Sequence, residues 1–339
     1  METIFSQLTE SLDQTGLVCA LGPVVQPLVA PEPEPLNAPI EALIPPESLV
    51  EVTSESLVEV APEPMADNAV AGLSPGELFP NGLGRNRPLV IQDFPIAVCW
   101  SYKSACTTTL RWFLFQNNLL ANANIVHPNW PHAFWNARLD ACPDYIGLWH
   151  QTLSGQHKKL VVKVIRDPAL RAVSTFFYFL HLQDEYFADQ WQRFLAWKIS
   201  LGLGDEPTAT FVQYLLHIIA ARAAHSPLDM HLEPQWDPLQ DPAVNVYIPV
   251  EQYSAKIRGL EQVFNLKESP LERFSASDHH HKKSENNLWP KEAAGMAIDK
   301  THYRYLGLPT PDSFLNESTR SLIRIAYAPD YKAYSQFYA

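Results

Sequence analysis

IAVCWSYKSACTTTLRWFLFQNNLL, residues Ile96 to Leu120, is the stretch that decides the fold. The run Ile96 to Trp100, with Leu89, Val90 and Ile91 just ahead of it, is short, apolar and partly β-branched, which predicts a buried strand. A polar loop with one cation follows at once, Ser101-Tyr102-Lys103-Ser104-Ala105-Cys106. Thr107, Thr108 and Thr109 then offer hydroxyl caps to a helix, and Leu110, Phe113, Leu114 and the Leu119-Leu120 pair recur behind them at roughly helical spacing. Such a loop turns backbone N–H groups and the positive end of a helix dipole toward one small volume, a site for a phosphate or sulfate. The expected occupant is the 5′ end of a phosphorylated nucleotide. The competing reading is an ordinary strand-to-helix turn with a solvated lysine.

Outward from this stretch, charge divides the chain of 339 residues. Residues 1–85 hold 13 carboxylates against one base, Arg85, so the net −12 resides there, and the remaining 24 acids and 24 bases cancel. The tail is punctuated by Pro31, Pro33, Pro35, Pro39, Pro45 and Pro46 and is predicted to be mostly disordered, because it has too little apolar surface to offset the entropy of ordering. A short helix over residues 4–14 is its one structured candidate. The repeat of Glu47-Ser-Leu-Val-Glu-Val52 as Glu55-Ser-Leu-Val-Glu-Val60 reads as low-complexity linker in preference to a docking motif for a protein partner. Residues 86–339 have the composition of a globular domain. Their charge balance disfavours nucleic acid as a partner.

Cys19, Cys99, Cys106 and Cys142 form no CxxC pair and read as free thiols in a reducing, cytoplasmic setting. The opening residues lack a basic start, and no apolar run approaches a membrane span, so neither a signal nor an anchor is expected.

Further along, Asn122 to Pro143 is rich in Asn, Trp, Pro and His and is predicted to be irregular, lining an acceptor cleft or filling an aromatic core. A second strand is expected at Lys159 to Ile165, running into Arg166-Asp167-Pro168, with an amphipathic helix behind Pro168 on Leu170, Val173, Phe176, Phe177 and Leu180. Helical patterns follow at residues 187–201, 211–225 and 250–263, with a short strand at 244–248. Strands alternating with helices predict an α/β fold, a P-loop-like open parallel sheet flanked by helices.

Two motifs carry a resemblance. Lys103, Ser104, Ala105, Cys106, Thr107 and Thr108 resemble the 5′-phosphosulfate loop of the sulfotransferases that use 3′-phosphoadenosine-5′-phosphosulfate (PAPS), although Tyr102 stands where that family often has Pro. Arg166-Asp-Pro-Ala-Leu-Arg171-Ala-Val-Ser174 resembles their 3′-phosphate motif. The resemblance implies that Arg166 and Ser174 reach the 3′-phosphate, and a guanidinium fork with a neutral hydroxyl is sound chemistry for that task. Arg171 is expected to pair with Asp167 or another acid. His231-Leu-Glu-Pro-Gln235 is similar to the His-Trp-x-Pro-Gln segment of the carbohydrate sulfotransferases, with Leu232 for Trp, and Ile325 to Tyr334 is similar to the family's closing helix. The similarity covers about residues 88–339.

The resemblance implies sulfuryl transfer from PAPS to an acceptor hydroxyl, with a glycan or glycoside the expected acceptor and no metal required. Lys103 would steady the charge that builds on the leaving phosphate, a role that lowers the barrier. His231 is the first candidate for the general base, with His150 and Glu233 as alternatives. Lys282, Lys283 and Ser284, in the basic run that starts at His279, would close over the nucleotide or sit solvated. One rival is a P-loop kinase or nucleotide hydrolase using ATP and Mg, but the loop from Ser101 to Thr108 lacks glycine and its lysine comes early. Another is a non-catalytic nucleotide-binding protein that engages a partner through its tail.

Overall fold

The computed structural model describes residues 86, 88–140, 144–181, 188–275, 289–302 and 310–338. The acidic tail with its repeat and expected helix, Cys19, Cys142 and the basic run at 279–284 lie outside these residues.

Strands β1 (Ile96–Trp100), β2 (Leu160–Ile165) and β3 (Val246–Pro249) form a parallel sheet in the order β1-β2-β3. The β1-to-β2 crossover carries α1 (Cys106–Gln116), α2 (Leu120–Val126), α3 (Pro131–Asp140) and α4 (Tyr145–Leu153). The β2-to-β3 crossover carries α5 (Pro168–His181), α6 (Ala188–Ser200) and α7 (Phe211–Ala223). After β3 come α8 (Tyr253–Val263), α9 (Leu271–Ser275), α10 (Glu317–Ala326) and α11 (Ala328–Tyr334). Every residue of β1 is buried, as a parallel strand covered on both faces requires. Outside β1, Leu89 bridges antiparallel to Val98. Two cores result: strands and crossover helices meet around Val98, Trp112, Phe113 and Val162, while α5, α6, α7 and α10 meet around Phe176, Phe179, Tyr214 and Ile323.

Three local expectations are corrected. The first helix stops at Gln116, because Asn118 takes a left-handed φ of 58° that its short polar side chain tolerates; Leu119 and Leu120 therefore belong to the start of α2. Residues 122–143, expected to be irregular, are largely helical in their described part, with Pro131 preorganising the first turn of α3. Of the aromatics there, Trp135 packs edge-on against Phe113 at 5.5 Å in the core, whereas Trp130 is exposed. The closing helix is two helices, broken at Tyr327, because Pro329 has no N–H to continue the ladder.

At the centre of β2, Lys163 is 1% exposed and forms an ion pair with Asp241. Its ammonium also donates to the carbonyl of Gln235 at 2.8 Å, while Asp241 accepts from the Tyr334 hydroxyl at 2.7 Å and the Tyr247 hydroxyl at 3.1 Å. This buried network pins α11 and the chain segment before β3 to the middle strand. Among the described residues no helix is long and apolar enough to cross a membrane.

Candidate active site

The site lies at the C-terminal edge of the sheet, where α/β proteins place ligands. The strand order has no reversal, so here two successive strand-to-helix loops meet instead of diverging. The first follows β1. Lys103 (φ 66°) and Ala105 (φ 56°) are both left-handed, unusual for residues with a Cβ, and curl the loop tightly into α1. Ala105 is the N-cap and makes no side-chain cap bond. The threonines thus fall inside the helix and do not cap it as the sequence suggested. The consequence is chemical. The first helical bond runs from the Thr109 N–H to the Ala105 carbonyl at 2.9 Å, and the N–H groups of Ala105, Cys106, Thr107 and Thr108 have no acceptor among the described residues. Such a concave run of amides at a helix start is an anion cradle.

Gln235 pays for the strained loop. Its Oε1 accepts from the Ser104 hydroxyl at 2.7 Å and from the Arg166 N–H at 2.8 Å, and its Nε2 donates to the Arg166 carbonyl at 2.8 Å. One buried amide therefore registers the loop after β1 against the end of β2. Asp330, on α11, takes the remaining Nε2 contact at 3.5 Å and accepts the Trp236 N–H at 2.8 Å. All four segments singled out in the sequence converge here.

The second loop follows β2. Asp167 caps α5, accepting from the N–H groups of Ala169 (2.7 Å) and Leu170 (3.0 Å). Arg166 donates from its guanidinium to the Lys103 carbonyl at 3.1 Å, so the two cationic residues are neighbours. Arg171 is not paired with Asp167, the first of the acids expected to hold it. Buried, it donates to the Tyr102 carbonyl at 3.0 Å and the His231 carbonyl at 3.1 Å, with its guanidinium 5.7 Å from the centre of the Tyr327 ring. Arg171, Ser174 and Tyr178 share one face of α5, since they are three and four residues apart. Burial lowers the Lys103 ammonium and the Arg166 guanidinium from their ordinary values, and the like charges nearby add to this.

His231 is held in place from several sides. Its Nδ1 pairs with Asp229 Oδ1 at 2.7 Å, and the same oxygen accepts the His231 backbone N–H at 2.9 Å. Donation from Nδ1 leaves Nε2 as the proton-accepting nitrogen. The Tyr102 and Tyr178 ring centres lie 3.9 Å and 3.7 Å from that of the imidazole, and the Lys103 ammonium is 5.4 Å from the Tyr178 ring centre. Burial lowers the His231 pKa; Asp229 opposes this, while Lys103 and Arg171 reinforce it. His132, against Trp100 at 5.2 Å, is pushed down to about 4 by burial and by His231.

The structure thus brings together Lys103, Ser104, Ala105, Cys106, Thr107, Thr108, Arg166 and His231, with Ser174 on the helix face that borders them. Ser104 and Thr108 are buried, the former committed to Gln235, while Lys103, Cys106 and Thr107 are half-buried. His150 is elsewhere: it lies in the last turn of α4, which leads to the opposite, N-terminal edge of β2. Cys99 and Cys106 are free, Cys99 buried with its thiol pKa raised by burial. Sequence reading missed Asp229, Tyr178 and His132. The Asp-x-His spacing of 229–231 was the available signal for the first; Tyr178 was masked by the apolar stripe of its own helix. No protein-family model, curated protein or solved structure matches this chain.

Proposed function

We propose that this protein is a sulfotransferase that moves the sulfuryl group of PAPS to an acceptor hydroxyl, with a carbohydrate the favoured acceptor. The observation that carries the reading is the shared location of Lys103 and Arg166, joined by a 3.1 Å hydrogen bond beside a run of helix-start amides with no acceptor among the described residues and a carboxylate-oriented histidine. A cradle of amides with a cation on each side suits a ligand with two phosphate groups. On this reading the amides of Ala105 to Thr108 hold the 5′-phosphate, and Arg166 with Ser174 holds the 3′-phosphate. PAPS supplies an activated sulfuryl group.

His231 Nε2 takes the proton of the acceptor hydroxyl as the new O–S bond forms, and Lys103 faces the phosphate oxygen released when the old S–O bond breaks. A pKa below the ordinary histidine value keeps Nε2 unprotonated at neutral pH. The P-loop-like assignment of the sheet and a cytoplasmic setting belong to the same proposal, supported by the strand-loop-helix order and by the free thiols of Cys99 and Cys106. The experiment is incubation of the full chain with sulfur-labelled PAPS and a panel of sugar, phenol and lipid hydroxyls. Transfer is expected for the wild type and lost in a folded Lys103→Ala variant. Undiminished transfer in that variant refutes the role given to Lys103, and phosphoryl transfer from ATP with Mg instead would establish the kinase reading.

A further inference from the structure

We propose that Tyr102 and Tyr178 are positioning residues that clamp the His231 imidazole between their rings and so fix the direction of its second nitrogen. A histidine ring is held only loosely by its own torsion, since χ2 has a broad, roughly two-fold profile. Here Tyr178 stacks on it at 3.7 Å and 23°, and Tyr102 contacts it at 3.9 Å and 40°. Asp229 holds Nδ1, which sets the tautomer. The tyrosines add what a single hydrogen bond cannot, a barrier to swinging about it. Arg171 stiffens the clamp by bonding the backbone carbonyls of both Tyr102 and His231. Tyr102 is thereby accounted for: the side chain that departs from the sulfotransferase pattern ahead of the lysine supplies one jaw.

The charged and titratable groups facing His231 are Asp229 on its own segment, Lys103 and Tyr102 on the loop after β1, Arg171 and Tyr178 on α5, and His132 on α3. The consequence for turnover rests on the proposed sulfotransferase reading, whereas the orientation of the ring does not. Two measurements on the full chain separate them. In histidine-labelled protein, NMR of the His231 ring, assigned with His231→Gln, is expected to show the Nδ1–H tautomer with a pKa below the ordinary value. Tyr178→Leu and Tyr102→Leu should each move that pKa up toward 6.5 as water reaches the ring. In the transfer assay the same variants should lower kcat by about tenfold to a hundredfold, with affinity for 3′,5′-adenosine bisphosphate within about threefold. Tyr178→Phe keeps the ring and should rescue both readouts. An unmoved His231 titration in both leucine variants overturns the clamp, as does a Tyr178→Phe variant as impaired as Tyr178→Leu. Should the wild type transfer no sulfate, the NMR arm alone decides the clamp and the functional reading fails separately.

Discussion

Replacing Gln235 with Ala should loosen the loops after β1 and β2 at once. Gln235 is 2% exposed and makes three hydrogen bonds of 2.7 to 2.8 Å, to the Ser104 hydroxyl and to the N–H and carbonyl of Arg166. Each is worth about 1 kcal/mol net, and the Arg166 backbone groups left without partners add a desolvation cost, so the loss should total about 3 to 5 kcal/mol. For a folded body of this size that is a fall in Tm of roughly 10 °C. Gln235→Glu is the informative companion. It retains an acceptor for Ser104 and the Arg166 N–H, yet when ionised it has no proton for the Arg166 carbonyl and sets a second carboxylate beside Asp330, whose own pKa burial already raises. Burial and Asp330 should raise the introduced carboxyl's pKa above the ordinary glutamate value, so its destabilisation should grow as pH rises through that pKa and shrink in acid. Thermal melting from pH 5 to 8 measures both effects. A Gln235→Ala protein that melts within about 2 °C of the wild type would refute the assignment of Gln235 as the tie between the loops.

Other consequences follow from buried ionisable groups. His217 is packed against Phe194 and Trp197 at 5.4 and 5.3 Å, and burial holds its pKa down to about 4. The unfolded chain takes up that proton near pH 6.5, so the stability tied to a neutral His217 is present above that value and lost as pH falls toward 4. His217→Phe should reduce the loss of unfolding free energy between pH 7.5 and 4.5 by up to about 3 kcal/mol, read by urea denaturation at the two pH values; an identical loss would contradict this. Asp241→Ala strips Lys163 of its buried counter-charge and should cost about 3 to 5 kcal/mol, read by urea denaturation, with part recovered by adding Lys163→Met. A loss no larger than that of an exposed ion pair would mean the network is relaxed by water.

The elements were legible where hydrophobic period and punctuation agreed. β1, β2, α5 and α7 stand close to where the apolar spacing put them, because burial on the sheet or in the helical core demands that spacing. Helix ends were less legible. Asn118 and Pro329 each terminate a helix that an apolar pattern alone would continue. The candidate site residues Lys103 and Arg166 were visible because each stands at a fixed local offset past a strand, in the loop that leads into a helix. Gln235 and Tyr178 act across long sequence separations; Ser104 and Gln235, for instance, are 131 residues apart. No local period encodes such a contact, and only the sheet edge brings them together.

The most direct test of a two-phosphate nucleotide site is a calorimetric titration of the full chain with 3′,5′-adenosine bisphosphate in the absence of divalent metal. Binding is expected, weakened on the order of a hundredfold when the ligand is 5′-AMP or when Arg166 is replaced by Ala, since either change removes the charge-assisted pair proposed at the 3′-phosphate. Equal affinity for the two nucleotides, or binding confined to ATP with Mg, would contradict it.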